Sequence, residues 1–432
     1  MRKIAVLGAG HVGLVTAAGF ARLGHPVMAV DEDEARIKML LAGKIPFFEP
    51  GLAELVAEAV RAQRLCFSTR IKDGVDFAEV IFICVGTPGR EESGEADLSA
   101  VEKVTAEIAR NLSDYRLIVE KSTVPVMTGE WVKYTLKTLS SKNIPFDLAA
   151  NPEFLREGSA VYDFFHPDRI VVGVESERAR KIMEEIYQDI SAPLLFTDIK
   201  SAELIKHASN SFLALKISYA NALSQICERV GADVNLVVQG VGLDKRIGPA
   251  HLYPGIGYGG SCFPKDVAAF LHLARSVGYD FKILKAAAET NEDQKKSSLA
   301  KIKKGVWNLK GKTLAVLGLA FKRDTDDIRE SPALEVVRML LAEGSIIRAY
   351  DPAAGQNAKA AVPEITLCGD PYEAAEGAFA LLVLTDWPQF AELDFERLKS
   401  LLSTPLIFDG RNFLPAERLR SLGFTYLAPG RP

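Results

Sequence analysis

Cysteine is scarce and scattered in this chain. The five residues (Cys66, Cys84, Cys227, Cys262 and Cys368) lie far apart, form no C-x-x-C pair and leave an odd thiol in any disulfide scheme. A disulfide framework is disfavoured and a reducing cytosol is expected, in which Cys262 stays available as a thiol. An excess of one charge is lacking too. The chain has 52 Lys and Arg against 56 Asp and Glu, a net −4, which gives no electrostatic case for nucleic acid or an anionic membrane. No apolar run reaches the length of a membrane span, and the run after Met1-Arg2-Lys3 is glycine-broken and too short for a signal segment. No set of His, Cys and carboxylates has metal-ligand spacing, so no metal is expected. What remains, at 48% apolar and 25% charged over 432 residues, is a globular composition with room for two or three domains.

The opening carries the first positive signal. Ile4-Ala5-Val6-Leu7 reads as a buried parallel strand, Gly8-Ala9-Gly10-His11-Val12-Gly13 follows, and a helical pattern leads to a second strand that ends in Asp31. Strand, G-x-G-x-x-G, helix, strand and acid together specify a dinucleotide site. Gly8 makes the tight turn, Gly10 admits the pyrophosphate and Gly13 lets the helix pack closely. The helix N-terminus, which Val12 helps to form, supplies the anion site. Asp31 reaches the ribose 2′-hydroxyl, which favours NAD over NADP. Arg36 is placed to stack on the adenine, or less favourably to admit a 2′-phosphate. His11 stands at a variable place in the motif and is read as structural. Thr87 and Thr123 each follow a later strand, at the edge where doubly wound sheets bind ligands. Between Asn151 and Gly158, Glu153, Phe154, Leu155, Arg156 and Glu157 form a charged loop that by itself reads as surface.

From about Asp198 to Arg229 there is neither proline nor glycine. Asp198 or Ser201 can cap a helix there and Gly231 can end it, giving about 30 residues and roughly 45 Å. Its apolar residues wrap most of the circumference, which points to burial against a second copy. Lys206 and Asn210, four apart, share a face. The Lys is either snorkelling or functional. Further on stands Gly257-Tyr258-Gly259-Gly260-Ser261-Cys262-Phe263-Pro264-Lys265-Asp266. The glycines let a ligand approach, and Pro264 suits the first turn of a helix running to about Gly278. Cys262 therefore heads a helix, where the dipole favours a thiolate, with Lys265 and Asp266 within a turn as acid–base partners. The same spacing reads equally as a glycine loop beside a buried core Cys.

After a second long helix to Val306, Leu314-Ala315-Val316-Leu317-Gly318 repeats the opening strand, and Ile346 to Asp351 repeats the second strand and its acid. The glycine motif is replaced by a charged loop containing Phe321, Lys322, Arg323 and Arg329. This half either binds a nucleotide in another way or is structural. Arg411 ends a later strand on the same side. The expected architecture is α/β: two Rossmann-like doubly wound domains, 1–197 and 307–432, with a long central helix and a helical dimerisation region over 198–306 that carries Cys262.

Taken in order, these motifs resemble the UDP-glucose/GDP-mannose dehydrogenase family over essentially the whole chain. They are Gly8–Gly13 with Asp31, Lys121–Pro125, Asn151–Leu155, Lys206 with Asn210, Gly259–Asp266, and Phe321-Lys322 with Arg329–Ser331. The resemblance implies oxidation of a nucleotide sugar's C6 alcohol to a carboxylate with two NAD⁺, in a homodimer joined through the long helix. It implies Lys206 and Asp266 as the proton-accepting set and Cys262 as the nucleophile that holds the aldehyde as a thiohemiacetal. Lys206 and Asn210 would stabilise the oxyanions, and Glu153 and Thr123, with Glu157 close by, would handle the hydrolytic water. Tyr258, Gly259, Phe154, Leu155, Phe321, Lys322 and Arg411 would bind the nucleotide sugar, with Arg246 reaching it across the dimer. Thr87, Lys265 and Arg329 would lie near NAD. Phe263 and Lys265 lean toward UDP-glucose over GDP-mannose or a UDP-N-acetylhexosamine. A one-step β-hydroxyacid-type dehydrogenase would need no Cys262, and a non-catalytic NAD sensor leaves the Cys262–Lys265–Asp266 set unexplained.

Overall fold

The strand at Ile4–Leu7 (β1) is apolar at every position because both of its faces are covered: Ile4 and Val6 belong to one buried cluster, Ala5 and Leu7 to another. The computed structural model describes residues 1–90, 94–140 and 144–431. It divides into two units, Met1–Ser209 with Ala268–Val277, and Asn210–Val267 with Gly278–Pro432.

Unit 1 is built on β1, β2 (Val27–Val30), β3 (Leu65–Ser68), β4 (Val80–Ile83), β5 (Arg116–Glu120), β6 (Phe146–Ala150), β7 (Ile170–Val174) and β8 (Leu194–Thr197). They form an eight-stranded sheet in the order β3-β2-β1-β4-β5-β6-β7-β8. The first six strands are parallel, while β7 runs antiparallel to β6, with Ala150 opposite Gly173. The order reverses beside β1, so the loops after β1 and β4 open a crevice at the carboxyl edge.

Unit 2 repeats the plan. Its strands β9 (Thr313–Leu317), β10 (Ile346–Tyr350), β11 (Thr366–Leu367), β12 (Ala380–Val383), β13 (Leu406–Asp409) and β14 (Thr425–Leu427) form an all-parallel sheet, β11-β10-β9-β12-β13-β14. Leu314 and Val316 again face one core, and Ala315 and Leu317 the other.

The long helix is Ile199–Val230, 32 residues, with unit 1 containing it through Ser209 and unit 2 from Asn210. Asp198 caps its start by accepting from Ser201 N at 2.8 Å, and Gly231 ends it at φ +76°. On it Phe212, Tyr219 and Ile226, seven residues apart, are exposed. No helix among the described residues is long and apolar enough to cross a membrane.

Candidate active site

The turn after β1 owes its shape to two glycines. Gly8 has φ +101°, and a Cβ there would lie 2.5 Å from Cys84 O, while one on Gly13 would collide with Gly8 O. Gly10 faces open space, and the helix His11–Arg22 that it caps has no side-chain cap and no acid in its first turn. Its leading amides, from His11 through Val12 and Gly13, thus form a cradle for a pyrophosphate. Asp31 is buried at the end of β2; its Oδ2 accepts from Ala9 N at 2.7 Å and from Arg36 Nη1 at 2.7 Å. Arg36 is held by this carboxylate and, at 3.8 Å, by Asp33. Thr87 Oγ1 donates to Thr123 O at 2.7 Å, which ties the loops after β4 and β5 together. These features fit a dinucleotide, with an acid rather than a base at the ribose end.

His11 does not point at a reacting centre. It stacks on Phe47 at 4.6 Å and meets Glu49 Oε2 at 2.6 Å. Glu49, whose side chain is wholly buried, also accepts from Gly158 N at 2.7 Å and Ala160 N at 2.8 Å. Glu49 thereby fastens the 153–158 loop to the cofactor turn. Arg156 closes that loop by donating two hydrogen bonds from its guanidinium to the Asp163 carboxylate, at 2.6 and 3.0 Å.

The loop is not solvated surface at its head. Glu153 is buried, its Oε2 accepting from Leu155 N at 2.5 Å and its Oε1 from Lys206 Nζ at 2.9 Å, with both side chains 5% exposed. Phe154 lies under this pair, with Lys206 Nζ 5.5 Å and the Arg169 guanidinium 3.6 Å from its ring. Lys206 is therefore not snorkelling. Nearby, burial lowers the Lys121 ammonium's pKa and pushes the Cys84 thiol up to about 12, so Cys84 is an inert core thiol.

In unit 2 the Gly257–Asp266 stretch is gripped from both sides. Gly257 sits at φ +116°, and the buried Asn291 accepts from Tyr258 N at 2.8 Å and donates to Tyr258 O at 3.1 Å. Gln294 donates to Gly255 O and Asn221 accepts from Gly255 N. A Cβ on Gly259 would collide with Glu330 O, and one on Gly260 would lie 2.6 Å from the Phe321 ring. Gly260 N also donates to Arg329 O at 3.1 Å. Arg411 fastens the same region, donating to Gly257 O, Leu384 O and Phe321 O at 2.8–3.1 Å. Its guanidinium is thus spent largely on backbone.

Cys262 directly precedes the helix Phe263–Ser276, and its carbonyl accepts the first helical bond, from Asp266 N at 2.8 Å. Asp266 is buried; its Oδ1 accepts from Lys265 Nζ at 2.6 Å and its Oδ2 from Asn210 Nδ2 at 2.6 Å. Lys322 Nζ lies 5.6 Å from the Phe321 ring. Arg329 pairs with Asp327 at 2.5 Å, and Arg246 is exposed and pairs with Asp244 at 2.6 Å. No group of three or more His, Cys, Asp or Glu among the described residues could hold a metal ion.

Two nucleotide-type α/β folds and an acid-ended glycine turn define a dinucleotide-dependent dehydrogenase, and a helix-heading thiol stands beside a buried carboxylate. The chain belongs to the UDP-glucose/GDP-mannose dehydrogenase family. Residues 2–191 match its NAD binding domain, 200–293 its central domain and 315–416 its UDP binding domain. NAD is accordingly the cofactor. The chain is 46% identical to the UDP-glucose 6-dehydrogenase TuaD of Bacillus subtilis (strain 168), over 100% of this chain and 94% of that one. It is 44% identical to a UDP-glucose 6-dehydrogenase of Rhizobium meliloti (strain 1021), over the full length of both. Among solved structures it is similar to a UDP-glucose dehydrogenase from Pyrobaculum islandicum, with a TM-score of 0.94 and 38% identity over 100% of this chain and 98% of that one.

Proposed function

We propose that the chain oxidises UDP-glucose at C6 to UDP-glucuronate, with two NAD⁺ and one water consumed. The observation that carries the reading is Cys262 at the head of its helix, with Asp266, Lys265 and Asn210 joined beneath it. A dehydrogenase that stops at the aldehyde has no use for that thiol. The relatives at 44–46% identity carry the name UDP-glucose 6-dehydrogenase, which favours UDP-glucose over GDP-mannose or an N-acetylhexosamine nucleotide.

NAD, when bound, accepts the hydride in each oxidation. The rest is the work of side chains. Lys206, with Asp266 holding a water, takes the proton of the C6 alcohol. The Cys262 sulfur then bonds to the aldehyde carbon, and the resulting oxyanion takes donors from Lys206 and Asn210, one turn apart on the long helix. Loss of the second hydride leaves a thioester. Glu153, positioned by Leu155 N and Lys206, takes a proton from the attacking water, with Thr123 as its second holder and Glu157 close by. The C–S bond breaks, releasing carboxylate and thiol. Tyr258, Gly259, Phe154, Leu155, Phe321 and Lys322 line the nucleotide sugar. Arg411 fixes Gly257 and Phe321 around it and leaves a buried positive charge for the diphosphate. Thr87, Lys265 and Arg329 lie toward NAD.

The same reading places NAD on residues 1–197, the nucleotide on 307–432 and a homodimer contact within 198–306. The exposed Phe212, Tyr219 and Ile226 stripe supports that contact, and the exposed Arg246 would serve the second copy's sugar. A cytosolic setting suits the unbridged thiols of Cys66, Cys84, Cys227 and Cys368. NADH yield measured against a panel of nucleotide sugars tests the function. Two NADH per UDP-glucose without free aldehyde is expected, and one NADH with aldehyde in solution would sink it.

A further inference from the structure

Glu120 ends β5, one residue before the Lys121–Pro125 stretch, and the mechanism above gives it no task. It is buried, and neither carboxyl oxygen has a hydrogen-bond partner among the described residues. The neighbouring donors have closer partners, and the pull of Ser122 on the Glu120 carboxyl is outweighed by its burial. Ser122 Oγ donates to Val85 O at 2.8 Å, and Lys121 Nζ to Asn151 Oδ1 at 3.2 Å. An unsatisfied buried carboxyl is costly, so its place calls for a reason.

That reason lies in two spaces that share one lining residue. Glu120, Ser122, Thr123, Glu203 and Lys206 line an inner cavity that gives about 10 Å³ to the centre of a water-sized sphere, room for about one water. Glu203, Glu130, Lys133 and Lys200 line an outer groove of about 470 Å³ beside the helix Thr128–Leu139. Glu203 is common to both. It stands one turn before Lys206 on the long helix, with its carboxylate fixed by Met127 N and Gly129 N, each at 2.8 Å.

We propose that Glu120 and Glu203 form a proton exit route from the Lys206–Glu153 pair to the solvent groove beside the Thr128–Leu139 helix. The inference rests on the four-electron reaction. Oxidising –CH2OH to –COO⁻ with two NAD⁺ and one water yields two NADH and three protons, which must leave a site whose Lys and Glu are almost fully buried. Lys206 passes a proton through the cavity water to ionised Glu120, Glu120 passes it through the same water to ionised Glu203, which also lines that cavity, and Glu203 releases it to the groove. Each step moves one proton and leaves the carrier as it began. The charges around the pair suit this. Burial, then the Glu203 charge, raises Glu120 to about 8. Burial raises Glu203 to about 7, with its two amides and Lys200 pulling it down and Glu130 pushing it up. An ordinary carboxyl would stay ionised near neutrality and carry nothing.

The test is Glu120→Gln in the full-length enzyme, an isosteric change that cannot carry a proton. Stopped-flow turnover with NADH absorbance and a pH-indicator dye should show proton release lagging NADH formation. The kcat should fall roughly ten- to a hundredfold with KM for UDP-glucose and NAD⁺ unchanged, and the solvent deuterium effect should rise. Glu203→Gln should do the same. Should either variant fail to fold, infrared difference spectra of the wild-type enzyme during turnover should show a protonated carboxyl signal changing, and a flat carboxyl region would overturn the route. Glu120→Gln with wild-type kcat, pH profile and deuterium effect would overturn it as well. A wild-type yield of one NADH would sink the reaction and the route together, whereas unchanged Glu120→Gln kinetics at a yield of two would sink the route alone.

Discussion

Asn210 donates its side-chain amide to Asp266 across 2.6 Å, and both side chains are buried. The bond joins the long helix to the helix that Cys262 heads. Asp266 accepts from Asn210 on one oxygen and from Lys265 on the other. Asp266→Asn replaces one acceptor oxygen with an amine that faces donors. Expected is a loss of roughly a hundredfold in kcat with circular dichroism unchanged. A kcat near wild type would remove Asp266 from the chemistry.

Cys262→Ser and Glu153→Gln should fail at different points. The first keeps a hydroxyl of similar size but no readily ionised nucleophile, so turnover should stall or leave a slowly hydrolysed ester, with substrate and NAD still bound. The second spares the thiol and weakens water attack, so a thioester on Cys262 should accumulate after a burst of NADH. Intact-mass spectrometry under single-turnover conditions reads both. Near wild-type turnover by Cys262→Ser would end the covalent scheme.

Cofactor choice should turn on Asp31. Its carboxylate repels a 2′-phosphate while it holds Arg36 at 2.7 Å. NAD⁺ should be strongly preferred, and Asp31→Ser, which releases Arg36, should raise kcat/KM for NADP⁺ relative to NAD⁺ by about tenfold or more. An unchanged ratio would show that Asp31 does not select.

The stability of the chain should depend on pH through Glu120. Its folded value is about 8 against an ordinary 4.5, and burial is the first cause. Below the unfolded value both states hold the proton and stability is full. As pH rises from there through about 8, the unfolded chain ionises first, and stability is lost. Glutamine cannot ionise, so the unfolding free energy of Glu120→Gln from urea titrations should gain on wild type by a few kcal/mol between about pH 5 and about pH 8. Parallel curves would contradict the shift. Glu203, raised to about 7, remains in both proteins, and its charge contributes to the Glu120 shift being read.

Phe212→Glu should weaken self-association. Phe212, Tyr219 and Ile226 form an exposed apolar stripe at seven-residue spacing, and a charge within it is costly to bury. Sedimentation should shift toward the monomer at assay concentrations. A variant as dimeric as wild type would place the contact elsewhere.

Much of this was legible in the letters because two periodicities are strong. The apolar runs at Ile4–Leu7 and Leu314–Leu317 are buried on both faces, and the break-free stretch after Asp198 could only be a long helix. Strands β3 and β6 were not. Leu65-Cys66-Phe67-Ser68 lies at a sheet edge with one buried residue, and Phe146-Asp147-Leu148-Ala149-Ala150 mixes an acid and small residues. The antiparallel turn of β7 has no local signal, since strand direction is set by what packs on the sheet. Glu49, Glu120 and Asn291 escaped for a related reason. All three matter through burial, Glu49 and Asn291 also through partners up to 111 residues away, which spacing does not encode. Arg156, between two carboxylates in sequence, pairs with Asp163. Arg411 reads in the sequence as a ligand cation, and its three bonds to backbone carbonyls, which fix Gly257 and Phe321, have no signal there.

The two sheets end their second strands in the same residue type, and the two acids have parted ways. Asp351 accepts from Leu319 N, Ala320 N, Ala353 N, Ala354 N and Trp387 Nε1. Asp31 accepts from two backbone amides and from the half-exposed Arg36, which can swing away. The duplicated half is therefore closed to transplant surgery. Grafting a glycine turn after β9 would unfasten the strand before it created a berth, because the acid that should greet a ribose is already the rivet of the loop. Re-engineering of cofactor preference has its opening at Asp31 and Arg36, where a single side chain can be exchanged without unpicking the fold.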